Sequence, residues 1–74
     1  MKDETFKGMD LWWYRGKEGW SQKRLAKHLG VGLATLERYE AREGQHLEGH
    51  PLVVKTLVSW LRKMERKHGE LPKQ

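Results

Sequence analysis

The stretch from Ser21 to Glu40 leaves this chain the least freedom. Leu25, Ala26 and Leu29 recur at the spacing of one face of a short helix. Leu36 and Tyr39 mark one face of a second helix, and Gly30 falls between the two with no room for a loop. The chain must leave one helix and enter the next within a few residues, which calls for positive φ and hence glycine. Ala26 is the only small residue on its face, at the place where two steeply crossing helices touch. Ser21 suits the N-cap of the first helix. The segment, about residues 21–42, is expected to be a helix-turn-helix, the device that lays its second helix in a DNA major groove.

Around this segment the pattern predicts two more helices and no strand. A first helix is expected from about Met9 to Glu18, with Leu11, Tyr14 and Arg15 inward and Gly19 as its stop. The second runs from its Ser21 cap to about Leu29, and the third from about Leu33 to Arg42 with Gly44 as its stop. Residues 43–50, rich in glycine and polar groups, are expected to form a loop. Pro51 suits the first turn of a long helix running to about Lys67, before Gly69. The tail, about residues 70–74, is expected to be disordered. The expected fold class is therefore all-α: one small four-helix domain spanning residues 1–74.

The chain resembles the Cro/repressor, or Xre-like, helix-turn-helix regulators of phages, plasmids and bacterial chromosomes. The matching residues are Ser21, Gln22, Leu25, Ala26, Leu29, Gly30, Val31, Leu36, Tyr39 and Glu40. Arg15, Gly19 and Trp20 also fit upstream, with Trp20 where an aliphatic residue is more usual. The resemblance covers roughly Gly8 to Leu61. It implies a lambda-repressor-like domain that binds double-stranded DNA. It further implies a repressor acting on its own promoter, bound to an inverted-repeat operator as a homodimer. Gln22 would bond a phosphate or the first base edge. Arg15 would pair with Glu40, pinning the first helix against the third. Two departures matter. Gly32 stands where Ser or Thr usually caps the third helix, so its backbone amides, without a side chain, would meet the phosphate. Ala41, Arg42 and Glu43 also come before the glycine that ends that helix.

By helical spacing the outward residues of the third helix are Leu33, Ala34, Glu37, Arg38 and Ala41. Arg38 is the best base reader, because a guanidinium can bond guanine O6 and N7 together. The alternatives are a phosphate contact or a solvated arginine. Glu37 can accept from a cytosine amino group or orient Arg38. Leu33 and Ala34 can pack on thymine methyls, unless Leu33 instead touches the loop or a neighbouring helix. Lys23, Lys27 and Arg42 are candidate phosphate contacts.

The net charge is +5, but it is uneven: zero over residues 1–20, +1 over 21–50 and +4 over 51–74. A basic balance favours a polyanion, although most of the excess lies beyond the helix-turn-helix, where a solvated helix face explains it equally well. Val53, Val54, Leu57, Val58, Trp60, Leu61 and Met64 give the long helix an apolar arc of about 160°. That is wider than one packing face needs. Trp60, Val53 and Met64 are therefore expected at a dimer interface, with Trp12 or Trp13 covering them within one chain as the alternative. Trp12 and Trp13 are adjacent on a helix and cannot both face the core.

The function classes this composition disfavours are clear. There is no cysteine and hence no disulfide or thiolate metal site. His46 and His50 are flanked by Gly49 and Pro51 and lack a carboxylate pair, so no metal site is expected. No catalytic triad or paired acids are present, and neither an enzyme nor a cofactor is expected. Met1–Glu4 mixes charges without an apolar run, so a signal peptide is not expected. No segment approaches the length of a membrane span, and a cytoplasmic protein is expected. The rival class is a protein-interaction module, an antitoxin or adaptor, whose apolar surface binds a partner while the helix-turn-helix serves mainly as scaffold.

Overall fold

A computed structural model describes residues 1–70; most of the tail, residues 71–74, lies outside them. The element order is β1 (Lys2–Lys7), α1 (Gly8–Glu18), α2 (Gln22–Leu29), α3 (Leu33–Ala41), β2 (His46–Glu48) and α4 (Pro51–His68). The chain is mostly helical, with a two-stranded antiparallel sheet. That sheet corrects the all-α expectation and the loop over residues 43–50. Its signal is weak in sequence because each strand contributes a single buried apolar residue, Phe6 and Leu47. The pairing also joins residues far apart, Lys2 with Glu48 and Lys7 with His46. Five steps on β1 match two on β2, so β1 bulges. The Asp3 carboxylate fills the bulge, accepting from the backbone N–H groups of Thr5 and Phe6.

Each helix begins and ends where local chemistry allows. Asp10 accepts from the Lys7 N–H at 2.7 Å and starts α1; Gly8, one residue before the expected start, is already helical. Ser21 Oγ accepts from the Arg24 N–H at 3.1 Å. Gly30, at φ 72°, ends α2, with Val31 N–H reaching Ala26 O at 3.0 Å and Gly30 N–H reaching Lys27 O at 3.3 Å. This paired bonding satisfies carbonyls that a helix end would leave bare. The third helix stops at Ala41, not at Arg42, because Gln45 N–H turns back to Arg42 O. The turn is clamped from the other side: Gly8 and Met9 N–H groups bond Gln45 O and Glu43 O. A Cβ at Gly8 would run into the carbonyls of Tyr39 and Arg42, so only glycine permits the approach. Pro51 opens α4, and His50 Nδ1 accepts from Leu52 N–H at 3.2 Å.

All six elements feed one core: Phe6, Leu11, Tyr14, Leu25, Ala26, Leu36, Leu47, Val54, Leu57, Trp60 and Leu61. Trp60 is only 3% exposed, which corrects its expected place at a dimer interface. Val53 and Met64 are likewise half-buried against the same core. The surplus apolar arc of α4 has a partner within the chain. It packs on β1 as well as on α1 and α2, and the Trp20 ring lies against Trp60 at 6.5 Å between centroids. Of the adjacent pair, Trp13 packs on the core and Trp12 is 37% exposed. Among the described residues no helix is long and apolar enough to cross a membrane.

Candidate nucleic-acid interface

The α2–turn–α3 unit is held from behind by one buried carboxylate. Glu40, 5% exposed, receives Arg15 Nη2 at 2.8 Å and Gln22 Nε2 at 3.1 Å on Oε1, and Arg15 Nε at 3.0 Å on Oε2. Arg15 Nη1 donates to Trp20 O at 2.9 Å. One cluster therefore ties α1, the α1–α2 turn, the start of α2 and the end of α3. A bidentate guanidinium–carboxylate pair fixes orientation as well as distance. The buried carboxylate is fully engaged, the condition under which an ion pair out of water is tolerable. Gln22, read as a DNA contact, is half-buried and its amide nitrogen bonds Glu40.

In front of this cluster α3 presents an exposed face. Leu33 is 40% exposed, and Ala34, Glu37, Arg38 and Arg42 are exposed with it. Gly32 is exposed at the N-terminus of α3 and caps it without a side-chain bond. On α2, Lys23 and Lys27 project into solvent. Arg24, not singled out in the sequence, is also exposed, and its guanidinium stacks over the Trp20 ring at 4.7 Å. The cations of this face are thus Lys23, Arg24 and Lys27 on α2 with Arg38 and Arg42 at α3. Among the described residues none of them has a carboxylate within ion-pair distance.

Two concavities flank α3, and neither was foreseen. A cleft of about 340 Å³ is lined by Thr35, Arg38, Tyr39, Arg42, Gly49 and His50, among others. It exists because β2 brings the start of α4 beside α3. The sequence held no local sign of it, since its walls are distant in the chain. A shallower hollow on the α1 side is lined by Trp12, Arg15, Gln22, Glu37, Glu40 and Glu43. No group of histidine and carboxylate side chains among the described residues could hold a metal ion.

Two carboxylates outside this face have displaced titrations. Burial pushes the Asp10 carboxyl up, against the downward pull of the Lys7 N–H and the Lys7 charge. Hydrogen bonds from Lys67 and then His68 hold Glu18 down. These contacts, at 2.8 and 3.1 Å, fasten the end of α4 to α1. No family model matches the chain, and no curated protein or solved structure is significantly similar to it.

Proposed function

We propose that this chain is a small sequence-specific regulator that binds double-stranded DNA, with α2 and α3 as a lambda-repressor-like helix-turn-helix. The observation that carries the reading is the division of labour on α3. Its inner side ends in Glu40, locked to Arg15 and Gln22, and its outer side offers Leu33, Ala34, Glu37 and Arg38 to solvent. A helix intended to read base edges needs both rigid support and a free face of mixed hydrogen-bonding and apolar groups. Arg38 bonds a guanine, Glu37 accepts from a cytosine or steers Arg38, and Leu33 and Ala34 meet thymine methyls. Gln22, Gly32, Lys23, Lys27 and Arg42 meet phosphates. Gln22 does so from a fixed position, because Glu40 already holds its amide nitrogen. Nothing in this function calls for catalysis, a cofactor or a metal.

A monomer of this size reads few base pairs, so two copies bind a pseudo-palindrome with half-sites about one helical turn apart, roughly 34 Å. Repression of its own promoter, in a phage, plasmid or bacterial cytoplasm, follows from the family resemblance. Selection from a random duplex pool at 150 mM salt tests the proposal. A single enriched motif is expected; a final pool bound no better than the starting pool would end it.

The exposed apolar groups Leu33 and Trp12 favour one competing reading. In that reading the same face docks a protein partner, as an antitoxin or adaptor would. A partner that bound wild type and lost Leu33→Asp, with duplex binding absent, would decide for it.

A further inference from the structure

We propose that the solvent face of α4 is a second, sequence-independent surface for duplex DNA, so that one domain can hold two DNA segments at once; the bridging, though not the surface, rests on the DNA-binding reading of α3. Lys55, Arg62 and Arg66 lie within an arc of about 40° on α4, with Lys63 about 60° beyond it on one side and Glu65 about 60° beyond it on the other. All four cations are exposed. Among the described residues none has a carboxylate partner. The contrast with Lys67 is informative. Lys67 lies off the stripe, about 100° round the helix from Arg66, and is paired with Glu18 of α1 at 2.8 Å, whereas among the described residues the stripe itself forms no ion pair. Glu65 falls on the opposite flank, half-buried. Four of the six cations of residues 51–74, Lys55, Arg62, Lys63 and Arg66, are therefore without an ion-pair partner among the described residues.

The stripe is not an extension of the α3 face. The helix α4 packs on α1, α2 and β1, burying Val54, Leu57, Trp60 and Leu61, and the cations sit on its far side. The α3 helix packs on α1 and α2, burying Leu36 and Glu40. Where α4 comes nearest α3, at the cleft beside Arg38, it presents Val53, about 160° round the helix from Lys55. From Lys55 to Arg66 the stripe runs about 16 Å, a length that meets roughly five phosphates on each strand of a duplex.

The chemistry selects the ligand. A membrane-surface helix needs an apolar face free to enter the lipid, and that of α4 is buried. Single-stranded nucleic acid is gripped by aromatic platforms among the cations, and the stripe has none. What remains is a flat row of cations without a hydrogen-bonding pocket, which suits the regular phosphates of a duplex and reads no sequence.

The test uses the full chain and two random-sequence duplexes of about 30 base pairs, one on beads and one fluorescent, at about 50 mM salt. Beads saturated with wild type should retain the fluorescent duplex. K55E/R62E/R66E should still bind a single duplex by anisotropy but retain the second at least about 10-fold less well. All three side chains are exposed, so its melting temperature, followed by circular dichroism, should match wild type. Bridging that survives in this variant overturns the proposal, because two α3 faces of a dimer would then account for it. Single-duplex binding without bridging by wild type also overturns it and leaves the α3 reading intact. If K27A/R38A binds a duplex as well as wild type and K55E/R62E/R66E does not, the α4 surface holds and the α3 reading fails. Sedimentation of wild type with phosphatidylserine vesicles, lost in K55E/R62E/R66E and with no bridging, would reassign the stripe to lipid and overturn the DNA proposal.

Discussion

The two halves of this molecule are held together by different physics. Around α2 and α3 a polar contact is added to the shared apolar core: a buried carboxylate with the side chains of two donors, Arg15 and Gln22, converging on it. Around α4 and the sheet the contacts are apolar: Trp60, Leu57 and Phe6 fill the interior, and the ion-pair cluster found there among the described residues, at Glu18, sits at the periphery. Apolar packing is strong but tolerant of small shifts, whereas a bidentate ion pair accepts one geometry. The half that presents the candidate reading face is the half whose geometry is most narrowly specified.

The largest effect should come from the apolar half. Trp60→Ala should destabilise by about 4 kcal/mol, much of what a domain this size has. Trp60→Phe should cost far less, since it also removes an indole N–H that has no hydrogen-bond partner among the described residues. Denaturant melts of the two variants measure the difference. Equal losses would mean that Trp60 is held by something other than packing.

Next comes the polar half. Arg15→Ala leaves Glu40 buried and should cost about 3 kcal/mol. Gln22→Ala removes one bond of three and should cost about 1 kcal/mol. If Arg15→Ala costs as little as an exposed pair would, the contrast between the halves collapses. Arg38→Ala should separate stability from recognition. Its melting temperature should be unchanged, with binding to a selected duplex weaker by about 2 kcal/mol at one base pair. A loss spread evenly over all sequences would make Arg38 a phosphate contact.

The smallest effect should be the pH dependence at the edge of the apolar half. Glu18 titrates below its ordinary value when folded, so its contribution is present above the unfolded value of about 4.5 and fades as pH falls through the folded one. Glu18→Gln should therefore melt lower than wild type at pH 7, by a margin that shrinks as pH falls below about 4.5. Asp10 has the opposite sign: its raised value favours folding at low pH and loses that advantage as pH rises through the folded value. A gap between Glu18→Gln and wild type that widened in acid would contradict the assignment.

What could be read in the sequence was what is local. Ser21, Gly30 and the spacing of Leu25, Ala26, Leu29 and Leu36 act within a few residues of themselves; α2 begins and ends at Ser21 and Gly30, and α3 follows after the short turn they leave. Arg15 and Glu40, foreseen from the family resemblance alone, meet at hydrogen-bond distance. What could not be read was non-local. The strands carry one buried apolar residue each, interrupted by a bulge, and pair residues about forty positions apart or more, Lys7 with His46 and Lys2 with Glu48. Helical periodicity alone leaves the apolar arc of α4 without a cover and so points Trp60 at a second copy, whereas β1 and Trp20 cover it within the chain. The cleft beside Arg38 was missed for the same cause, since β2 is what brings His50 near α3.

The bulge in β1 bears on how this protein behaves among many copies of itself. A two-stranded sheet leaves open edges, and an open edge is an invitation to templated growth. Along β1 the invitation is withdrawn. The amides of Thr5 and Phe6 donate to Asp3, and that of Lys7 to Asp10. A passing strand from another molecule would find these three donors already engaged, with charged Lys2, Glu4 and Lys7 beside them, and so gains little by docking there.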